Sequence, residues 1–356
     1  MSLLCHGTRV ARFVQPTLSN SIVPLLTLAD SGETLDALDG ETVLDAARRA
    51  GVYFSHSCLA GNCGACKCEL VDGDVNELEH SEFALTDEEH ATGLILACRT
   101  QVWGDTTVKR LPEGEIVMHP SRVLPCRVER LEWLTHDIRS VHLRHDGRGE
   151  FFFSAGQYVS LEFIPGLERQ YSMASIPGEG LLEFHVRKVP GGRASTHVAE
   201  QLAVGDQVTL RGPMGTSYLR DYHEGPVLLM AGGSGLAPIQ SILRLLLDRG
   251  HRAPVRLYFG VRAERDVYNA TLLDQLAASH PQFSYDIVLS DPADGTRRGG
   301  FLHEAVATDL ATVTGLKAYL AGPPPMVEAA TTLLRSRGLG LRDIHADAFY
   351  DQPGSA

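Results

Sequence analysis

The spacing of four cysteines constrains this chain more than any other feature. Cys58, Cys63 and Cys66 stand as C-x4-C-x2-C, and Cys98 follows after 31 intervening residues. Four thiolates can converge on one small metal centre only if three come from a tight loop and the fourth from a distant strand. Ala60, Gly61, Gly64 and Ala65 let the loop backbone wrap closely and aim its N–H groups at the sulfurs. Structural zinc fits less well, because it commonly takes two C-x2-C pairs and only Cys63 and Cys66 form one. The spacing is that of a plant-type [2Fe-2S] cluster, which makes Cys58, Cys63, Cys66 and Cys98 the candidate metal ligands. Cys5, Cys68 and Cys126 are left as non-ligands.

Charge narrows the field of partners. The net charge is 32 minus 44, or −12, and residues 30 to 98 hold 15 Asp and Glu against Arg48, Arg49 and Lys67, which accounts for the whole excess. Such a field repels nucleic acid and anionic membranes, and it can steer a partner with a basic docking face. The longest apolar runs, Val227 to Ala231 and Leu243 to Leu247, fall far short of the roughly 18 residues of a membrane span, so a soluble protein is expected. Residues 1 to 29 carry Arg9 and Arg12 and no acid, but Pro16 and Pro24 interrupt any amphipathic targeting helix. With no secretory core either, a reducing, cytoplasmic location is expected.

The texture of the chain changes twice, dividing it into an N-terminal extension (1–21), a cysteine section (22–110), a linker (111–122), an all-β section (123–223) and a section of alternating strands and helices (224–356). In the first, apolar runs flank Asp30-Ser31-Gly32 as a hairpin, and Thr42 to Ala50 reads as an amphipathic helix ended by Gly51. In the second, Cys126 to Leu131, Ile138 to Leu143, Gln157 to Phe163, Leu181 to Arg187 and Gln207 to Leu210 predict antiparallel strands. In the third, apolar runs starting at Val227, Val255, Tyr285 and Ala318 each precede a helical pattern, with a last strand near Ile344 to Phe349. Such continuously apolar strands predict a parallel sheet covered on both faces.

Ser57-Cys58-Leu59-Ala60-Gly61-Asn62-Cys63-Gly64-Ala65-Cys66-Lys67-Cys68 resembles the cluster loop of plant-type ferredoxin domains in the reductase components of aromatic-ring-hydroxylating dioxygenases. The all-β section carries Arg169-Gln170-Tyr171-Ser172, then His185 to Ser195, then Gly212-Pro213-Met214-Gly215, in the order found in ferredoxin-reductase-like FAD barrels. The resemblance implies a multidomain fold: an α+β β-grasp ferredoxin, an antiparallel β-barrel for FAD, and an α/β doubly wound NAD domain. It implies that Tyr171 stacks on the isoalloxazine, that Ser172 sits near N5 and that Arg169 neutralises the pyrophosphate. Gly192 and Ser195 would bind phosphate where a helix begins, and His185, Val186, Arg187 and Gly191 complete the flavin segment.

Ala231-Gly232-Gly233-Ser234-Gly235 follows an apolar strand and opens a helix, with Pro238 in place of the last glycine of the usual dinucleotide fingerprint. Glycines there let the backbone approach a pyrophosphate at a helix N-terminus, and Pro238 suits the first helical turn. The resemblance adds Arg262, Asp266, Gly322, Pro323 and Met326 around the nicotinamide nucleotide, and Phe349 as the aromatic that covers the flavin, with plain strand packing as the alternative for Phe349. This chain has Ala321 where the family commonly has a cysteine near the hydride-transfer site. Asp291 would repel a 2′-phosphate, which favours NADH, while Arg262, Arg297 and Arg298 keep NADPH as the alternative.

The function implied is transfer of electrons from NADH through FAD to the [2Fe-2S] cluster, and onward to a Rieske-type ferredoxin or a terminal oxygenase. A plant-type cluster near about −400 mV lies below Rieske centres at about −150 to +300 mV, so that onward step is downhill. Two other readings stand beside it: the reductase of a diiron monooxygenase, and a non-catalytic zinc-binding adaptor without flavin.

Overall fold

The structure is a computed structural model that describes residues 23–350, apart from 39, 57, 58, 60, 62, 63, 65, 81–83, 112–116, 118, 148, 221–222 and 292–296. The extension 1–21, with Cys5, and the expected ligands Cys58 and Cys63 therefore lie outside the described residues.

The cysteine section folds around a five-stranded sheet of order β2-β1-β7-β3-β5: β1 (Leu25–Leu28), β2 (Thr34–Asp36), β3 (Lys67–Asp72), β5 (Leu94–Leu96) and β7 (Thr106–Arg110). A second pair joins β4 (Val75–Glu77) to β6 (Thr100–Val102). The hairpin expected at residues 30–32 is the β1–β2 turn. Helix α1 (Val43–Arg49) begins where expected, because Thr42 accepts the Asp45 N–H as its cap. Its buried face, Val43, Leu44, Ala46 and Ala47, packs against Leu26, Leu28 and Val108 of the sheet. Helix α2 (Asp87–Ala91) is closed by a Thr86–Glu89 capping box.

Six antiparallel strands form the second unit in the order β11-β10-β13-β8-β9-β12. They are β8 (Arg122–Trp133), β9 (Ile138–His145), β10 (Tyr158–Ile164), β11 (Leu167–Ser172), β12 (Leu182–Arg187) and β13 (Gln207–Met214). A bridge between Met173 and Phe184 joins the two edges and closes the barrel. Cys126 lies in its core, where burial pushes the thiol up to about 12, as suits a non-ligand. Strand β11 is absent from the pattern-based expectation. Its sequence, LERQYS, breaks the apolar alternation because Glu168, Arg169 and Gln170 stand largely outside the core.

The third unit is a six-stranded, all-parallel sheet of order β17-β16-β15-β14-β18-β19. Strands β14 (Val227–Gly232), β15 (Val255–Val261), β16 (Phe283–Leu289), β17 (Arg298–Gly299), β18 (Lys317–Gly322) and β19 (Ile344–Ala348) alternate with helices α4 (Leu236–Asp248), α5 (Ala270–Ser279), α6 (Leu302–Asp309) and α7 (Pro324–Ser336); α3 (Arg193–Glu200) belongs to the barrel. α4 and α5 bury one face of the sheet, and α6 and α7 the other. α4 is buried almost all round, because its second face meets the barrel: Ile239 and Ile242 share one core with Ile138, Ala155 and Leu219. At roughly 1.5–3 kcal/mol per buried Leu or Ile side chain, that shared core orients the barrel on the sheet. No helix among the described residues is long and apolar enough to cross a membrane.

Candidate functional site

Three features gather at the ends of these units. In the first, Cys66 closes the cysteine loop just before β3, and Cys98 follows β5. The Ala97 N–H donates to the Cys66 carbonyl at 3.0 Å, which sets the two buried cysteines on neighbouring chains. The loop turns through left-handed residues at Leu59, Gly61 and Gly64, with φ of 59°, 73° and 70°. A Cβ on Gly64 would lie 2.7 Å from the Ala84 carbonyl, and one on Gly61 would lie 2.7 Å from Arg99 Cγ, so both must be glycine. Buried thiols on a loop coiled this tightly fit a small inorganic cluster. Cys68 is buried beside Cys98, and burial together with that neighbour raises its thiol far above the ordinary range.

The second feature is the barrel edge at β11. Tyr171 is half-buried edge-on to Phe163, with centroids 5.7 Å apart, and burial pushes its hydroxyl up to about 12 against the opposing charge of Arg169. Ser172 is buried, and its Oγ donates to Asp347 Oδ2 at 3.0 Å. Asp347 was not among the expected residues; a carboxylate on the last strand gives no signal until the fold brings it to Ser172. Phe349 stands two residues on, its N–H donating to Gly322 O at 2.9 Å. Arg169 is partly exposed on the same strand. An aromatic ring, a hydroxyl and an arginine within four residues fit the stacking, polar and pyrophosphate needs of a flavin.

The Gly191-Gly192 turn lies at the start of α3, with Gly192 as its cap residue. Ser195 is drawn into that turn: its Oγ accepts from the Val189 N–H and donates to Gly192 O. Its hydroxyl thus shapes the turn, leaving backbone N–H groups as the anion-facing donors. Val186 is part of the barrel core. His185 points inward, with Nε2 3.2 Å from Glu183 Oε1 and Nδ1 3.2 Å from the Tyr268 hydroxyl. Burial works to raise the Glu183 carboxyl, but hydrogen bonds from His185 and Ser140, with the charges of His185 and His142, hold it down to about 2. Tyr268 donates in turn to Gly233 O at 3.1 Å, so this buried chain runs from the barrel to the glycine-rich loop.

The third feature is a crevice of about 290 Å³ at the carboxyl ends of the parallel strands, lined by Gly232, Gly233, Arg262, Asp266, Ser290 and Met326 among others. The glycines there serve packing as much as access. A Cβ on Gly232 would meet Met326 Sδ at 2.6 Å, and one on Gly322, at φ +144°, would lie 2.9 Å from Gly232 backbone. Gly235 abuts the Ala321 carbonyl, which is how the two strand-to-helix loops nest. Ser234 lies half-buried between them, and Pro323 caps α7.

Arg187, expected with the flavin, lines this crevice, its Nε donating to Asp137 Oδ2 at 2.9 Å. Of the other arginines considered for a 2′-phosphate, Arg297 is paired with Glu264, and Arg298 with Asp309 and the Ala305 carbonyl. Arg262, 64% exposed, is the loosely tethered cation of this wall, 4.0 Å from Asp137.

Comparisons agree with this arrangement. The chain matches a 2Fe-2S iron-sulfur cluster binding domain over residues 26–102, an oxidoreductase FAD-binding domain over 125–218 and an oxidoreductase NAD-binding domain over 229–332. It is 41% identical over 314 residues to the ferredoxin–NAD(P)+ reductase component of the naphthalene 1,2-dioxygenase system of Pseudomonas putida, covering 87% of this chain and 94% of that protein. It is 38% identical to the phenol 2-monooxygenase reductase component DmpP of Pseudomonas sp. strain CF600, covering 91% and 94%. Among solved structures it resembles the Amycolatopsis cytochrome P450 reductase GcoB, with a TM-score of 0.74 and 37% identity over 92% of this chain and 98% of that one.

Proposed function

Because the chain belongs to the family of oxygenase-system reductases that join a [2Fe-2S] domain to FAD- and NAD-binding domains, we propose that it takes electrons from NADH to serve an aromatic-ring-hydroxylating dioxygenase, through a Rieske-type ferredoxin or directly. The bound groups supply a two-electron hydride acceptor, the flavin, and a one-electron relay, the cluster. The Ser172–Asp347 bond carries the reading, since it holds the flavin-type edge of the barrel against the end of the nicotinamide-type sheet.

Tyr171 provides the stacking plane, Ser172 a hydroxyl toward N5, and Phe349 the cover on the outer face. Arg169, Gly191 and Gly192 meet the flavin pyrophosphate, while Arg187, Gly232, Gly233 and Arg262 meet the dinucleotide. Cys58, Cys63, Cys66 and Cys98 hold the cluster. Asp291, exposed beside Ser290 on the crevice wall, supports NADH over NADPH. The units take the bounds 22–110, 123–223 and 224–356, after an extension 1–21 and with 111–122 as linker, and the chain works in the cytoplasm. The acidic excess of residues 30 to 98 supports docking of a partner with a basic face.

A second reading, service to a multicomponent monooxygenase, rests on the phenol 2-monooxygenase relative. Anaerobic titration with NADH, followed by visible absorption and electron paramagnetic resonance, tests the core of the proposal. Flavin bleaching with a one-electron iron-sulfur signal is expected; a colourless protein that binds zinc at its cysteines would overturn it. Reduction of a Rieske ferredoxin, measured against reduction of a monooxygenase, separates the two readings. That rate is expected to fall as salt rises.

A further inference from the structure

Away from the cysteine loop, a second group of metal-ligating side chains converges among the described residues. His136 and Asp137 form the turn between β8 and β9 of the barrel, and Asp266 ends the short helical turn Glu264–Asp266 that follows β15. One ligand atom from each lies within 4.8 Å of the others. His136 Nδ1 stands 3.6 Å from Asp266 Oδ1 and 4.0 Å from Asp137 Oδ1.

Asp266 supplies an independent reason to look for an ion. Its side chain is only 10% exposed. Oδ2 accepts from the Ala263 N–H at 3.0 Å, but Oδ1 is buried with no hydrogen-bond partner. An oxygen left in that state loses its contact with water and gains no bond in return. The nearby arginines do not serve it: Arg187 donates to Asp137, and Arg262 leans toward Asp137 as well. His136 at 3.6 Å is too distant to make the bond itself.

We propose that His136, Asp137 and Asp266 bind one zinc-class divalent ion across the seam between the barrel and the nucleotide domain. A tetrahedral ion with bonds of about 2.0–2.2 Å keeps its ligand atoms roughly 3.4 Å apart, so the His136–Asp266 pair already has the spacing. Asp137 Oδ1, 4.0 Å from His136 Nδ1 and within 4.8 Å of the Asp266 ligand atom, must close by about 0.6 Å on the first and by up to about 1.4 Å on the second, a movement that falls to its turn, with the fourth position taken by water. Asp137 Oδ1 accepts from the Thr135 hydroxyl at 2.9 Å and Oδ2 from Arg187 Nε at 2.9 Å, which leaves Oδ1 a second lone pair for an ion. Its Oδ2 stays with Arg187 while Oδ1 turns to the metal. An imidazole with two carboxylates suits zinc, whereas magnesium wants six oxygens in an octahedron. Since Asp137 and Asp266 both line the nicotinamide-type crevice, the ion would staple one of its walls.

The test uses the full chain with flavin and cluster in place, treated with chelator and checked for unchanged iron content. Calorimetric titration with zinc is expected to show one site per chain, with a zinc-dependent rise in melting temperature. His136→Ala and Asp266→Asn are each expected to weaken binding by about tenfold or more. The proposal fails if the wild type takes up no zinc, if both variants bind as the wild type does, or if magnesium binds as well as zinc. Should Asp266→Asn not fold, His136→Ala in its exposed turn decides alone.

Discussion

Ser172 Oγ donates a 3.0 Å hydrogen bond to Asp347 Oδ2, joining the barrel to the last strand of the nucleotide domain across 175 residues of sequence. A hydroxyl fixed by a half-buried carboxylate can adopt one orientation instead of several, which is how a positioning pair assists transfer at a nearby atom. Ser172→Ala and Asp347→Asn are each expected to slow NADH-driven flavin reduction by about tenfold or more with flavin content unchanged. In stopped-flow traces the double variant should lose no more than the worse single one; additive losses would mean that the pair does not act as a unit.

Cys98 follows β5 on the chain next to Cys66, whereas the flavin-type edge at β11 belongs to the barrel. Cys98→Ser should remove the cluster absorption and cytochrome c reduction while NADH–ferricyanide activity through the flavin persists. Full cytochrome c reduction by the variant would contradict the ligand assignment.

Gly322 stands at φ +144° with Gly232 backbone 2.9 Å from where a Cβ would be. Backbone on both sides leaves nothing flexible to yield, so Gly322→Ala combines left-handed strain with a clash and should cost about 1–3 kcal/mol. The two nucleotide loops would part, and the KM for NADH should rise more than the flavin is lost. A melting temperature and KM both at wild-type values would show that the loops do not nest as described.

Tyr268 bridges His185 and the Gly233 carbonyl from a fully buried position. Removing its hydroxyl leaves both without that partner, so Tyr268→Phe should destabilise by about 1–3 kcal/mol and raise the KM for NADH, because Gly233 belongs to the crevice. Denaturant unfolding and steady-state kinetics on the same preparation test the two effects together.

His345 stacks on Tyr319 with centroids 5.0 Å apart, and burial, joined by Arg220 and Lys317, holds its pKa well below the ordinary 6.5. The unfolded chain takes up a proton below pH 6.5 that the folded chain refuses, so stability is complete above that value and lost as pH falls. The limiting slope is about 1.4 kcal/mol per pH unit. His345→Phe should flatten the acid side of the melting curve; an unchanged slope would shift the cause to other groups.

The cysteine spacing, the short alternating strands and the apolar strand-to-helix runs marked three units because each is a local pattern, set by chain geometry over a few residues. The same locality explains what was missed. β11 looked polar because Glu168, Arg169 and Gln170 stand largely outside the core, and Asp347 had no neighbour in sequence to mark it. Arg187 entered with its motif in the barrel, and the fold carries its guanidinium to the wall of the next unit's crevice, where it donates to Asp137.

The order of amino acids alone carries the chemical parts: three cysteines on one loop with a distant fourth, an R-x-Y-S edge and a glycine-rich turn, and the sequence in which they occur. Tertiary structure alone decided which parts meet. The pairing of Ser172 with Asp347, the run from His185 through Tyr268 to Gly233, and the convergence of His136, Asp137 and Asp266 all cross the seam between barrel and sheet. Their spacing in the chain carries no information about distance, because the seam is set by apolar packing of α4 against Ile138, Ala155 and Leu219, and the polar groups are carried to it by that packing.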